Sequence, residues 1–176
     1  MPLLPPTGLA PPAAPDPHVL KFPDEQAIAG LLGDLFDRRV AVRRDFGDHV
    51  LPPNGQLATF ANDQGNLSVV VAADIGFIAH AGASLALIPV GTSELAVSNG
   101  VVSDSIQENF YEVINIMASL FNVDPSSHVK LTNIFPASSP DVPPGASKAL
   151  TADAKPHWFA VSIDGYGDGT LAFFRV

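Results

Sequence analysis

Residues 103–122 show the strongest periodicity in the sequence, and a helix built from them must cover a core with one of its faces. At about 100° per residue, the apolar side chains of this segment fall on one side of the helix. They are Ile106, Phe110, Val113, Ile114, Met117, Leu120 and Phe121. The polar side chains that collect on the opposite side are Glu108, Tyr111, Glu112, Asn115 and Ser119. The pattern predicts one amphipathic helix over 103–122 with an exposed polar face.

This polar face is unusual for a surface that is only solvated. Glu108 and Glu112 stand one helical turn apart and repel each other by about 0.2–0.5 kcal/mol, with no Lys or Arg nearby to relieve them. Asn115 lies in the middle of the helix, where its amide competes for backbone hydrogen bonds. The arrangement indicates contact with something outside the chain. Ser105 and Glu108 also have capping-box spacing, which explains Glu108 without any function, and either Ser103 or Ser105 can cap the helix.

Length and composition indicate one ordinary domain with a core. The chain has 176 residues, of which 47% are hydrophobic. The absence of cysteine excludes disulfides, a thiolate nucleophile and cysteine-ligated zinc, and it favours the cytoplasm. No apolar run reaches the length of about 18 residues expected of a membrane span, and the N-terminus lacks the pattern of a signal peptide. We therefore expect a soluble cytoplasmic protein with no membrane segment.

Acidic residues are concentrated in the middle of the chain. The sequence has 18 acidic and 9 basic residues, for a net charge of −9. Between Arg44 and Lys130 there is no Lys or Arg, although nine Asp or Glu residues lie in that stretch. Such a concentration of negative charge argues against nucleic-acid binding. It suits either a partner that offers a cation or a surface that keeps the protein soluble, and composition alone favours the second interpretation.

The N-terminal segment differs from the rest in its proline content. Residues 1–17 contain seven prolines, so they cannot propagate a helix or build a core. We predict a flexible tail over residues 1–22 and a folded domain over residues 23–176. A plain tether suits this composition better than a ligand in the polyproline conformation, although both fit it.

Patterns in the domain predict alternating helices and strands. The predicted helices cover residues 24–37, 75–88 and 103–122. The predicted strands cover residues 40–44, 57–61, 67–73, 129–135, 158–163 and 171–176. Residues 89–104 and 136–156 are expected to be connections. The predicted fold class is α/β (α+β), with a mainly antiparallel sheet and helices packed against it.

Few other motifs indicate chemistry. Asp164–Gly169 has some likeness to a calcium loop but lacks the ligand spacing and the closing Glu, so a glycine-rich hairpin turn is the better interpretation. The five histidines are scattered and include no helical pair suited to zinc. Phosphate-binding loops, dinucleotide fingerprints and nucleophile elbows are absent from the sequence. We expect no metal site and no cofactor of the protein's own; a serine nucleophile stays open, with nothing to support it.

The segment Glu112-Val-Ile-Asn115 resembles, in this context, the motif of the CheC/CheX/FliY family of chemotaxis phosphatases. That motif is an acid or serine, a glutamate, an asparagine one turn further on, and a proline at the end of the following strand. Glu108, Glu112, Asn115 and Pro136 take these places. The order of predicted elements over residues 24–176 is also similar to CheX, and one motif per chain is the CheX-like arrangement.

The resemblance implies an activity and a partner. Members of this family dephosphorylate a CheY-type response regulator, whose own pocket holds the Mg²⁺. Asn115 would then orient the attacking water, and Glu112 would pair with the lysine of the regulator's phosphate site. Further contacts with the phosphorylated regulator would come from Glu108, Tyr111, Ser119 and Pro136. Glu108 would either attract that lysine or only cap the helix.

Two other classes of function stay open at this point. CheC-like domains share their architecture with flagellar-switch proteins, so a non-enzymatic adaptor is the main alternative. In that case the acidic face would bind a partner, and Asn115 would do no chemistry. A small-molecule binding module around the apolar residues 75–90 is a third interpretation with less support. By analogy with CheX, and because a small sheet leaves unpaired edges, we also expect a homodimer.

Overall fold

The core of the fold is an antiparallel sheet. A computed structural model describes residues 20–124, 128–151 and 155–176. Within these residues the strands are β1 (Val40–Asp45), β2 (Gln56–Asn62), β3 (Leu67–Ala73), β4 (Val129–Pro136), β5 (His157–Ile163) and β6 (Gly167–Arg175). They lie in the order β1-β5-β6-β3-β2-β4, and all neighbours are antiparallel. The predicted fold class, α/β (α+β) with a mainly antiparallel sheet, is confirmed.

Helices surround this sheet. They are α1 (Glu25–Phe36), α2 (Ile75–Leu85), α3 (Val90–Asn99), α4 (Asp104–Met117) and α5 (Pro144–Ala149). The start of α1 agrees with the sequence, because Asp24 caps it by accepting a hydrogen bond of 2.8 Å from the N–H of Ala27. Across the described ranges, no helix combines the length and the hydrophobicity that crossing a membrane requires.

The two faces of the sheet are covered differently. One face packs against α1, α2 and α4 in the main core, where the ring of Phe121 lies between those of Phe60 and Phe173. The opposite face carries a smaller cluster, in which Trp158 and Phe174 pack beneath α5. The main core therefore lies between the sheet and α4, the helix with the polar face.

The helix α2 is buried on all sides and sets the position of α4. All residues from Gly76 to Ser84 are buried. Gly82 lies against the backbone of Ile106 in α4, so a Cβ at this glycine would overlap its neighbour. The small side chains of α2 thus allow α4 to pack closely over it. Of the apolar segment 75–90, considered above as a ligand-binding region, residues 76–84 belong to the core, and Leu87 and Val90 are exposed.

Two segments that were predicted to be connections contain helices. Residues 89–104 include α3 and residues 136–156 include α5, so the prediction of plain connections was wrong. Weak helix formers such as Thr, Ser, Val and Asn dominate α3, and only its ends, Pro89 and the left-handed Gly100 (φ 69°), indicate a helix. The short α5 is stabilised by its position over the second face of the sheet.

The start of α4 decides between the two capping residues that the sequence offered. Ser103 is the N-cap, since its hydroxyl accepts a hydrogen bond of 3.4 Å from the N–H of Ile106. Ser105 lies inside the first turn, and Glu108 is two residues beyond the position that a capping box requires. The expected capping box of Ser105 and Glu108 is therefore wrong, and capping does not explain Glu108.

The C-terminal end of the helix also differs from the prediction, which placed it at residue 122. The α-helix ends at Met117, and a 3₁₀ turn over Ala118–Leu120 follows it. Ser119 therefore lies in this turn rather than on the α-helix. Its hydroxyl donates a hydrogen bond of 2.8 Å to the carbonyl of Ile116.

Of the predicted tail over residues 1–22, residues 1–19 lie outside the described residues. Residues 20–22 are described, and they pack on the domain. The ring of Phe22 packs edge-on against Phe121 and Phe173, with centroids 6.2 and 6.0 Å away. Arg175 donates a hydrogen bond of 2.6 Å to the carbonyl of Leu20. The packed domain therefore includes residues 20–22, and a flexible tail before them stays a prediction.

Candidate functional site

Hydrogen bonds to β2 at one end and to β4 at the other hold α4 beside the edge strand β4. Near the start of α4, Gln56 donates to Gln107 at 2.5 Å and Gln107 donates back at 3.0 Å; Gln56 is the register partner of Pro136. Beyond the end of α4, Asn122 donates to the carbonyl of Val129 at 2.9 Å and accepts from its N–H at 2.8 Å. Because Pro136 ends β4 and Val129 begins it, α4 runs antiparallel to β4 over its whole length.

The predicted site residues of this segment all reach solvent. Glu108, Glu112, Asn115 and Ser119 are exposed, and Tyr111 is 44% exposed. With the residues that the structure describes, Glu112 and Asn115 form neither an ion pair nor a side-chain hydrogen bond. Their carboxylate and amide are one turn apart and available to a partner.

Pro136 does not lie beside Glu112 and Asn115. It is exposed at the end of β4 and lies opposite Gln56, which is bonded to Gln107. Eight residues separate Gln107 from Asn115, which is about 12 Å along a helix axis. The structure therefore places Pro136 beside the Glu108 end of α4 and away from Asn115.

A shallow cleft of about 350 Å³ lies between α4 and β4. Its lining residues are Gln107, Glu108, Tyr111, Asn133 and Ile134. Sequence analysis identified Glu108 and Tyr111 as partner-binding candidates but missed the other three. The half-buried Gln107 had no visible partner in the sequence, because Gln56 is more than fifty residues earlier.

An irregularity in β4 lies next to the two residues of this strand that line the cleft, Asn133 and Ile134. The register between β2 and β4 shifts at Thr132, which has no partner of its own across the ladder. The Thr132 hydroxyl lies 2.8 Å from that of Thr59 and donates a hydrogen bond of 2.9 Å to the Thr59 carbonyl. An extra residue changes the alternation of side chains by one position, so Leu131 and Ile134 both pack towards the main core. Without this bulge Ile134 would face the opposite side of the sheet.

The surface of α4 carries negative charge that nothing nearby balances. Between Arg44 and Lys130 the sequence has no basic residue. Lys130, at the start of β4, is 3.6 Å from the carboxylate of Asp63 instead. The ion pairs among the described residues include neither glutamate of α4. A cation on a partner protein would thus find the glutamates of α4 without a competing partner.

Metal ligands are not grouped in the part of the chain that the structure describes. No group of three or more His, Asp or Glu side chains there is arranged to hold an ion. The segment Asp164–Gly169 forms the hairpin turn between β5 and β6, at residues 164–166, and the first residues of β6; Gly165 has φ 76°. That any Mg²⁺ is carried by a partner stays a prediction.

Comparisons with known proteins identify the fold. No protein-family model and no curated protein matches the sequence. A chain of the FliM–SpeE complex from H. pylori matches with a TM-score of 0.58 at 11% identity, covering 86% of this chain and 80% of that one. The FliM middle domain from V. alginolyticus gives 0.56 at 8% identity, covering 85% and 86%. FliY from Thermotoga maritima gives 0.52 at 12% identity, covering 85% and 82%.

The chain therefore has the fold shared by FliY and the FliM middle domains. The resemblance to the CheC/CheX/FliY family is confirmed at the level of the fold, over nearly the whole described chain. At identities of 8–12% these matches show a shared architecture and not a shared function. A function must therefore be argued from the residues of the site.

Proposed function

We propose that this protein is a CheX-like phosphatase that hydrolyses the aspartyl phosphate of a CheY-type response regulator in the cytoplasm. One observation carries the proposal: Glu112 and Asn115 are exposed one turn apart, without described partners, on a helix that is held at both ends. Hydrolysis of an acyl phosphate depends mainly on positioning the water and stabilising charge. A rigid helix with two free polar groups fits that requirement.

Asn115 orients the attacking water in this proposal. An amide accepts a hydrogen bond through its oxygen and donates through its nitrogen, so it can fix a water without being a strong base. The water oxygen bonds to phosphorus as the bond between phosphorus and the aspartyl oxygen breaks, which yields the aspartate and inorganic phosphate. The Mg²⁺ that balances the phosphoryl charge belongs to the regulator, and this chain supplies only the positioned amide.

Glu112 docks the regulator by pairing with the lysine of its phosphate site. The ion pairs among the described residues do not include Glu112, and Lys130 of β4 lies 3.6 Å from Asp63 instead. No described cation therefore competes for the Glu112 carboxylate. Glu108 and Tyr111 contact the regulator at the cleft beside β4. Pro136 adds a contact at the same end, and Ser119 accepts a hydrogen bond at the other, because its proton is already given to Ile116.

A phosphate-release assay tests the proposal directly. The protein is added to CheY-type receiver domains that have been phosphorylated with acetyl phosphate, and the rate is compared with that of the receivers alone. We expect acceleration that Asn115→Ala abolishes and that Glu112→Ala reduces chiefly through a higher KM. Asn109→Ala, on the same helix but half-buried outside the polar face, is the matched control and should keep full activity. A wild-type protein that accelerates no receiver would contradict the proposal.

The second candidate is a protein-binding domain without catalysis. The observation in its favour is that the similar structures include FliM in complexes with SpeE and with FliG. The α4 surface would then bind its partner without transferring a proton or a phosphoryl group. Binding of a receiver domain that is weakened by Glu112→Ala, with no change in the lifetime of the phosphate, would support this alternative.

A further inference from the structure

Much of the basic charge of this acidic protein lies at one edge of its sheet. Four of the nine Lys and Arg residues are Arg38, Arg39, Arg43 and Arg44. They lie within or just before β1, the edge strand at the opposite end of the sheet from β4. None of the four forms an ion pair with a carboxylate in the described structure. The acid of β1 itself, Asp45, is already bonded to His49 at 2.9 Å.

The outer side of β1 carries unpaired backbone groups. The carbonyl of Arg39 accepts a hydrogen bond of 3.0 Å from the N–H of Asp164, so this residue faces β5. Backbone groups alternate along an antiparallel strand, and the odd-numbered residues of β1 therefore face β5. The N–H and C=O groups of Val40, Val42 and Arg44 point outwards, where the described sheet has no further strand. Such an edge can pair with an extended segment of another chain.

Side chains along this edge make it a surface with both charge and apolar area. Arg39 and Arg43 are exposed, while Arg44 lies over the ring of Phe159 at 5.1 Å. At the end of β1 the ring of Phe46 is 88% exposed, with the guanidinium of Arg44 5.6 Å from its centre. An extended peptide along β1 would meet arginines over most of its length and an aromatic ring at one end.

We propose that the outer edge of β1 binds an acidic, extended segment of another protein by strand addition. Arg39, Arg43 and Arg44 have no carboxylate partner in the described structure, so they select an acidic occupant. Arg38 is engaged elsewhere, since it donates a hydrogen bond of 3.0 Å to the carbonyl of Asp164. A second copy of the chain is the less suitable occupant, because pairing two β1 edges would bring the same arginines together across the interface. The surface is at the opposite end of the sheet from α4, so this proposal does not depend on the phosphatase activity.

Fluorescence anisotropy with a labelled peptide of alternating valine and glutamate, ending in phenylalanine, tests this binding. A peptide with lysine in place of glutamate is the control. We expect the acidic peptide to bind and the lysine peptide not to bind. We also expect the affinity to fall by about tenfold between low and high salt, since the contacts are exposed ion pairs.

Substitutions at Val42 separate strand addition from simple charge attraction. Val42→Pro removes an outward N–H and leaves the hydrogen bonds between β1 and β5, so binding should weaken by about tenfold. Val42→Ala keeps the N–H and should bind as the wild type does. The double variant Arg39→Glu with Arg43→Glu changes only exposed side chains and should abolish binding of the acidic peptide.

Several results would overturn the proposal. They are equal binding of the acidic and lysine peptides, no binding of either, or undiminished binding by folded Val42→Pro. A homodimer that Val42→Pro dissociates would assign the edge to a second copy instead. If the arginines serve only to keep the edges of neighbouring molecules apart, neither peptide will bind. The Arg39→Glu, Arg43→Glu variant will then aggregate.

Discussion

The polar residues on α4 weaken the helix that carries them. Asparagine is a poorer helix former than alanine, by a few tenths of a kcal/mol or more, and Asn115 makes no side-chain bond to the described chain that would offset this. Glu108 and Glu112 add a like-charge pair on the same face. Residues that cost stability where they stand are typical of functional sites.

The substitution Asn115→Ala should therefore stabilise the protein while it removes activity. We expect the free energy of unfolding to rise by about 0.3–0.6 kcal/mol, because alanine is the better helix former at an exposed position. Urea denaturation followed by circular dichroism measures this change, with Asn109→Ala as the comparison on the same helix. A loss of more than about 1 kcal/mol would show that Asn115 supports the fold, and the phosphatase proposal would lose its main residue.

His80 gives the fold a dependence on pH. Its ring is 6% exposed, and Nδ1 lies 3.0 Å from the hydroxyl of Ser93. That hydroxyl donates to the carbonyl of Val90 at 2.9 Å, so Nδ1 carries the proton and donates to Ser93. Burial lowers the pKa of His80 below its ordinary value of 6.5, more than the nearby Glu94 raises it.

The sign of this dependence follows from proton binding. Below pH 6.5 the unfolded chain binds a proton at His80 that the folded chain resists, so the free energy of unfolding falls as the pH drops through this range. Urea midpoints at about pH 7.5 and pH 5.5 measure the fall. His80→Gln should reduce the fall but not abolish it, because burial also lowers the pKa of His157. Equal pH dependence in the variant and the wild type would refute the role of His80.

Hydrogen bonds to two strands of the sheet fix the position of α4. Gln56 and Gln107 join the start of the helix to β2, and Asn122 joins its end to Val129 of β4. The bulge at Thr132 then turns Ile134 towards the helix and shapes the cleft beside Glu108. The geometry of the site thus depends on elements that carry none of the proposed catalytic groups.

The substitution Asn122→Ala should loosen the end of α4. Both hydrogen bonds to Val129 are lost, and we expect a cost of about 1–3 kcal/mol because a partly buried backbone pair loses its partners. Displacing the helix should also lower the hydrolysis rate, since an in-line water tolerates little movement. Asn99→Ala, exposed at the end of α3, is the control. Unchanged stability in Asn122→Ala would mean that these two bonds do not hold the helix.

At the scale of the whole molecule, charge divides the sheet into two different ends. The acidic α4 lies beside the edge strand β4, and the arginine-rich β1 is the other edge. The two edges therefore suit different partners. In a symmetric dimer, repulsion between like charges disfavours a contact of two β1 edges and also a contact of two acidic α4 surfaces.

We expect a homodimer, because a small sheet leaves edges that pairing can satisfy. Light scattering coupled to gel filtration, at tens of micromolar protein, should give twice the chain mass of 18.4 kDa. High salt should leave the dimer intact, because it screens the repulsion between two copies that carry the same net charge of −9. A monomer mass at this concentration would contradict the expected homodimer.

The sequence predicted best those elements whose periodicity and turn residues lie within one short segment. The helix at 24–37 and the hairpin of strands 57–61 and 67–73 have clear periodicity and turn residues, and the structure has them within one or two residues. The segments that hold α3 and α5 have weak patterns, because these helices form by packing on α2 and on the sheet rather than by their own propensity.

For the candidate site, the sequence by itself determined which residues of α4 face solvent. Helical periodicity is local, so the apolar stripe that must enter the core also decides which side chains stay outside, Glu112 and Asn115 among them. Only the tertiary structure decided what lies beside them: the amide pair of Gln56 and Gln107, the bulge at Thr132, and the cleft on Ile134. These features arise where segments distant in sequence pair, and strand register depends on the whole sheet rather than on any one segment.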